Sequence, residues 1–389
     1  MKYNLIVFGT RPELLKLIPV ILEIRKRNLD NRFKILCTNQ HQELIADLLK
    51  LFSIEPDISL PISNYKRSIS ETLSDIIKEF QSYVELNDSY IHYVIAQGDT
   101  TSCLAAAMVA FLNKKQFAHI EAGLRTFDND NPFPEEYFRK IVSLSTNIHF
   151  TPTYTAKQNL LKENVQASKV IHTGNTIVDL MNMLKIRQYQ CKNESIKRFL
   201  KTTNNIIITC HRRENQNGNF DILIESIKEL ATTNPELNFI WLSHLNPFVN
   251  SKTKNESLRK ISNITVVQPV SIFDMVELYK STRLIITDSG GIQEEAVSFS
   301  VPTIVIRDKT ERPESIEVEN SELVGNSPEK LKAAFYKFLS RKKKVLKNPF
   351  GDGNAASIII DFFVQQNYDS NVDKIDFHKI SADLSHEKF

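Results

Sequence analysis

The stretch NLIVFGTRPELLKLIPVILEIRKRN (Asn4–Asn28) sets the pattern from which the fold is read. A short apolar run, Leu5–Phe8, stops at Gly9. Beyond Arg11, the residues Leu14, Leu17, Ile18, Ile21 and Leu22 recur at the three- and four-residue spacing of a helix with one apolar face. The reading is strand, tight turn, helix. RFKILCT predicts a second strand and QHQELIADLLKLF a second helix, and SISETLSDIIKEFQSYVEL predicts a third amphipathic helix. YIHYVIAQGDTTS is a strand ending at Gly98 and CLAAAMVAFLNKK is its helix, with FAHIEAG and IHFTPT as further strands. Short apolar runs alternating with longer helical stretches predict a parallel sheet wrapped by helices.

The pattern then restarts. NNIIITCH, NFIWLSH, ITVVQPV, LIITDSGG and PTIVIRD read as strands, and DILIESIKELATTNP, DMVELYKST and IQEEAVSF as helices. The chain of 389 residues is long for a single core. The expected fold class is therefore α/β, with two Rossmann-like domains and a central cleft facing the strand C-terminal ends, where such sheets bind ligands. A polar, loosely helical stretch at about residues 176–203 marks the boundary. It separates an N-terminal domain, 1–175, from a C-terminal domain, 176–365, with the segment 366–389 either a helix packed back on the first or partly frayed.

Apolar residues make up 41% and charged residues 24% of the chain, as in soluble globular proteins. The formal net charge of +3 is small, and Lys and Arg are scattered among acids. That speaks against a nucleic-acid partner, and the run RKKK (Arg341–Lys344) reads as a solvated helix end. Cys37, Cys103, Cys191 and Cys210 lack metal-ligand spacing and read as reduced thiols. The first apolar run is too short for a signal peptide and none approaches a membrane span, so a cytoplasmic protein without membrane contact is expected.

Polar and glycine-rich clusters fall directly after the predicted strands. In DSGGIQEE (Asp288–Glu295) a strand end, a Gly pair and a helix start coincide. Helix-start amides can hold a phosphate, and Glu295 could accept from ribose hydroxyls; a Gly turn with an Asp or Ser cap fits as well. GTRPELLK places Arg11 at a helix start and Lys16 about a turn later, either as solvated cations or against an anionic ligand. CHRREN sets His211, Arg212 and Arg213 after a strand, which suits a phosphate. Asp99 in QGDTTS is either an N-cap or, with Glu121 on a neighbouring strand, half of an acid/base pair. No GxGxxG, Walker A loop or HExxH occurs, and DND (Asp128–Asp130) fits a loop better than a metal site.

Taken in order, VFGTRPELLK, QGDTTS, HIEAGLRT, PFPEE, HRREN, HLNP, DSGGIQEEA, RDKTERPE and NPFGDGNAA resemble the non-hydrolysing UDP-N-acetylglucosamine (UDP-GlcNAc) 2-epimerases, from about Lys2 to about Ile360. The resemblance implies a glycosyltransferase-B-like fold. It implies interconversion of UDP-GlcNAc and UDP-ManNAc without cofactor or metal, by anti elimination of UDP to 2-acetamidoglucal and re-addition, supplying ManNAc for bacterial surface polysaccharide such as capsule. By the same resemblance Asp99, Glu121, Glu135 and His211 are catalytic. Arg11, Lys16, Arg139, Ser289, Gly290, Gly291, Glu295, Arg312 and Met275 bind substrate. Gln40, His41, Glu136, Arg212 and His244 match an allosteric site for a second UDP-GlcNAc, and a homodimer is implied. The chain departs from the family at Phe138, where Asn is usual beside the acids, at Cys210 for Gly, at Val270 for Gln and at Met275 for Phe near the uracil. A glycosyltransferase on the same fold and a UDP-sugar sensor without turnover are the competing readings.

Overall fold

The computed structural model describes residues 2–62, 67–191, 193–212, 219–243, 258, 260–341 and 347–368. The chain divides into two compact units, Met1–Asp179 with Gly351–Phe389, and Leu180–Phe350. The return to the first unit begins at Gly351, ahead of the residue 366 expected from the loss of periodicity. The helix Ala355–Tyr368 explains why: it is apolar enough to bury Ile359, Ile360, Phe362 and Phe363. Most of 366–389 lies outside the described residues.

The first unit holds a seven-stranded parallel sheet in the order β3-β2-β1-β4-β5-β6-β7, with β1 Tyr3–Phe8, β2 Phe33–Cys37, β3 Ile58–Ser59, β4 Ile91–Gln97, β5 Gln116–Ile120, β6 Ile148–Thr151 and β7 Val170–His172. The second holds six parallel strands in the order β10-β9-β8-β11-β12-β13, with β8 Asn205–Thr209, β9 Asn238–Leu242, β10 Ile264–Val267, β11 Thr282–Thr287, β12 Thr303–Val305 and β13 Ser321–Leu323. Strands β1 and β8 are buried along their whole length. Helices covering both faces of a parallel sheet require that, and it is why these strands read as continuous apolar runs rather than alternating ones.

The helix Thr101–Leu112 is buried on nearly every side and packs against the helices Ile69–Leu86 and Glu135–Ser145. Its Ala105, Ala106, Ala107 and Ala110 let those helices approach closely. The helix Ala355–Tyr368 lies on the helix Arg11–Lys26. Phe363 meets Phe33 and Tyr93 edge-on, and Phe362 meets Phe150 likewise. Burying each such ring contributes about 2–3 kcal/mol. The Arg27 guanidinium donates to Asp361 at 2.5 Å and to the Ser357 hydroxyl at 2.6 Å, fixing the helix from its polar side.

The stretch expected to be polar at 176–203 opens instead with the helix Thr176–Ile186, whose Ile177, Val178, Leu180, Met181 and Leu184 are buried. All four cysteines are free and buried. No helix among the described residues is long and apolar enough to cross a membrane.

Candidate active site

In each sheet the strand order reverses once, between β1 and β4 and between β8 and β11. Loops leaving the carboxyl ends of such strands diverge, and the crevice they leave takes ligands. Among the described residues singled out from sequence, Arg11 and Lys16 follow β1, Asp99 follows β4, Glu121 follows β5, His211 follows β8 and Ser289–Gly291 follow β11.

In the first unit, β1 runs into Gly9 and Thr10 and then the helix Arg11–Lys26. A Cβ on Gly9 would lie 1.9 Å from the Thr38 hydroxyl and 2.2 Å from that of Ser102, so only glycine lets β1 turn here. Lys16 is buried and pairs through Nζ with Glu121 Oε1. Glu121 directly follows β5, with a left-handed φ of 65°. The Gln97 amide donates to its other oxygen, and Asn175 Nδ2 donates to Oε1 at 3.3 Å. Three donors thus converge on one buried side chain, an arrangement that suits a carboxylate acting only as an acceptor.

Asp99 is not the N-cap of its helix. Thr100 takes that part and accepts from the Cys103 amide at 3.1 Å. The Asp99 carboxylate is left for Arg139, whose Nε and Nη2 both reach Oδ2, at 2.8 and 2.7 Å. Arg139 Nη1 also donates to Glu136 Oε2 at 2.9 Å. Glu136 is fully buried and accepts from the Thr126 and Phe127 amides, each at 3.0 Å. It fastens the loop after Gly123 to the helix Glu135–Ser145. Glu135, the first residue of that helix, is half-buried. Arg11 is half-buried at the first position of its own helix. Gln40 accepts from the Ser102 amide and hydroxyl at 3.2 and 2.8 Å, and His41 is exposed.

In the second unit, Asp288 follows β11 and is fully buried. Its Oδ2 accepts from the His211 and Arg212 amides, both at 2.8 Å, and Oδ1 lies 3.2 Å from His211 Nδ1. Burial alone would raise this carboxyl; the His211 ring and the two amides outweigh it and hold Asp288 far below the usual carboxylate range. Ser289 caps the helix Gly290–Ser298, accepting from the Ile292 amide at 3.5 Å. A Cβ on Gly290 would lie 2.7 Å from Arg312 Nη1, so the buried guanidinium rests directly on the helix start. Arg312 donates to Glu294 at 2.8 Å and also bonds Glu311, which Arg307 holds at 2.9 Å. Arg212 Nη2 stands 3.7 Å from Glu311. Glu295 accepts from the Tyr279 hydroxyl at 2.7 Å. Met275 is buried on the helix Ile272–Ser281. His244 and the residues Arg213–Asn215 of HRREN lie outside the described residues.

A family model described as UDP-N-acetylglucosamine 2-epimerase matches residues 23–364. The chain belongs to the UDP-N-acetylglucosamine 2-epimerase family. The UDP-N-acetylglucosamine 2-epimerase of Neisseria meningitidis serogroup A is 38% identical over 92% of this chain and 98% of its own. A crystal structure of UDP-GlcNAc 2-epimerase from N. meningitidis bound to UDP-GlcNAc superimposes with a TM-score of 0.84 at 36% identity, covering 94% of this chain and 100% of that one. The Methanocaldococcus jannaschii UDP-GlcNAc 2-epimerase, in complex with UDP-GlcNAc and UDP, gives 0.82 at 34% identity, over 94% and 100%. The protein is thus an epimerase, an isomerase, and its two parallel sheets are of the glycosyltransferase-B type.

The epimerase keeps several partners that sequence reasoning did not single out. Gln97 and Asn175 reach Glu121 from 24 and 54 positions away. Asp288, Glu294, Arg307 and Glu311 build the base under the helix start. Glu13 is fully buried within the quoted GTRPELLK and bonds both strand-end turns. Asp288 and Glu13 lie inside motifs already quoted, so position alone could have flagged them. Phe138, on the same helix as Glu135, Glu136 and Arg139, is buried in the apolar core with Phe117 and Val142.

Proposed function

We propose that this epimerase interconverts UDP-GlcNAc and UDP-ManNAc by anti elimination and re-addition of UDP. A base removes the C2 proton, the C–H electron pair becomes the C1–C2 double bond, and UDP leaves C1 with its bonding pair. The 2-acetamidoglucal then takes UDP back at C1 and a proton on the opposite face of C2. Neither half-step changes the oxidation state of the product, so the reaction balances without a redox partner.

The observation that carries this reading is the carboxylate set at the strand ends of the first unit. C2–H is a very weak acid, so its removal needs a positioned base and stabilisation of the departing diphosphate. Glu121 with its three donors and Asp99 on Arg139 have the fixed orientations that proton transfer requires, and Glu135 completes the acid/base set. His211, oriented by Asp288, and the amides of Ser289, Gly290 and Gly291 serve the diphosphate. Arg11, Lys16, Arg139, Glu295, Arg312 and Met275 complete the substrate contacts. The relatives solved with UDP-GlcNAc and UDP support the nucleotide sugar as substrate.

The same proposal includes a second UDP-GlcNAc as activator near Gln40, His41, Glu136, Arg212 and His244, a homodimer, and a cytoplasmic supply of ManNAc units for surface polysaccharide. In the described structure both Glu136 oxygens accept internal bonds, so any contribution Glu136 makes to an activator site runs through the loop it holds, while Gln40 commits its Oε1 to Ser102.

The test is product analysis with purified protein started from either UDP-sugar. Both reactions reach one common mixture of UDP-GlcNAc and UDP-ManNAc with no free sugar. Free ManNAc with stoichiometric UDP would replace this reading with hydrolysis. Turnover only on adding an acceptor would indicate a transferase, and binding without turnover at any activator concentration a sensor.

A further inference from the structure

The mechanism above assigns no part to Glu13, although the fold commits much to it. Glu13 stands at the third position of the helix Arg11–Lys26, and its carboxylate reaches back to the Thr10 amide at 2.7 Å. That much is a capping box, a common device at helix starts in which Gln serves as well as Glu. Three features exceed it. Oε2 also accepts from the Gly9 amide at 2.9 Å. Oε1 accepts from the hydroxyl of Thr100, which comes from the end of β4 rather than β1. And the side chain is wholly buried, whereas a cap works at the surface. Burial, set against the hydrogen bonds from Thr100, Gly9 and Thr10, raises the carboxyl to about 7. The fold therefore bears a desolvation cost that helix capping does not require.

One carboxylate so bridges the two turns at the strand reversal. The turn after β1 leads to Arg11 and Lys16. The turn after β4 holds Asp99, and Thr100 next to it caps the helix Thr101–Leu112 while donating to Glu13.

We propose that Glu13 is a positioning residue for the epimerisation: by holding the Gly9–Thr10 turn and the Thr100 hydroxyl on one carboxylate, it fixes Asp99 with respect to Lys16 and Glu121. The inference rests on the assignment of Asp99 to the acid/base set. Glu13 touches none of the reacting atoms; its effect passes through the backbone at residues 99 and 100. Small displacements of an acid or base cost about 100-fold in rate.

The experiment compares kcat and KM for UDP-GlcNAc in the wild type, Glu13→Ala, Glu13→Gln, Thr100→Val and Thr100→Ser, each assayed below its own melting temperature. Glu13→Ala is expected to lose about 100-fold in kcat with a smaller rise in KM, because the turn it releases also leads to Arg11 and Lys16. Glu13→Gln recovers most of that loss, because its amide oxygen can accept both backbone N–H groups and its amide nitrogen can donate to Thr100. Thr100→Val lowers kcat in the same way with Glu13 intact, and Thr100→Ser does not. Folded Glu13→Ala and Thr100→Val proteins with wild-type kcat and only a lowered melting temperature would overturn the inference. If Glu13→Ala does not fold, Thr100→Val decides. An inactive wild type would remove the functional reading itself, a result distinct from active variants.

Discussion

At the scale of single residues, the same arrangement occurs at both strand reversals. A hydroxyl residue caps the following helix, Thr100 in one unit and Ser289 in the other, and the aspartate just before it is released for a side chain from another element. Asp99 turns to Arg139 and Asp288 to His211. An aspartate next to a hydroxyl residue at a helix start reads equally well as the cap in sequence, so this division of labour was not legible there. Glu121→Gln should lower kcat by about 10²–10⁴-fold, with KM for UDP-GlcNAc little changed, as steady-state kinetics would show; a wild-type kcat would remove Glu121 from the acid/base set. Gly290→Ala forces a methyl group against Arg312, which Glu294 and Glu311 hold in place. A loss of about 1–3 kcal/mol is expected from the denaturant midpoint, and a raised KM with it, since the same helix start is assigned to the diphosphate.

At the scale of elements, periodicity made the alternation of strands and helices legible, because parallel strands are apolar throughout and their helices on one face only. What it could not show is which polar side chains inside those elements meet. His119 on β5 and His149 on β6 are register partners. Both are buried, and His119 shares a hydrogen bond with the Gly98 carbonyl at 2.7 Å. Burial lowers His119 from 6.5 to about 4 and His149 to about 3. Between those values and 6.5 the unfolded chain binds protons that the folded one does not, so their contribution to stability is present above pH 6.5 and is lost as pH falls towards 4. For His119 the shift corresponds to about 3 kcal/mol. His119→Gln keeps a donor for the Gly98 carbonyl but cannot titrate. Its unfolding free energy should fall less than the wild type's between pH 6.5 and 4, and an identical pH slope would contradict the argument. The apolar helix Ala355–Tyr368 is hard to read for a related reason: it packs on Arg11–Lys26 and on Phe33, Tyr93 and Phe150, all distant in sequence.

At the scale of the whole molecule, each parallel sheet carries a group of the described site residues after the strands at and beside its one reversal, Lys16, Asp99 and Glu121 in the first and His211 and Ser289–Gly291 in the second. That much followed from where the glycine-rich and charged clusters fall relative to apolar runs. The partners that orient those residues, such as Asn175 for Glu121 and Arg139 for Asp99, come from other elements, and local sequence pattern does not report on them. The family places the chemistry on a UDP-sugar, and the proposal of proton transfer at carbon rests on the buried Glu121 with its three donors and on Asp99 held by Arg139. The most direct measurement is the reaction of the purified protein with UDP-GlcNAc in deuterium oxide, followed by NMR and mass spectrometry. The account predicts UDP-ManNAc carrying deuterium at C2, because the proton removed exchanges with solvent before a new one is delivered to the opposite face. UDP-ManNAc that retains only its original hydrogen at C2 would contradict it.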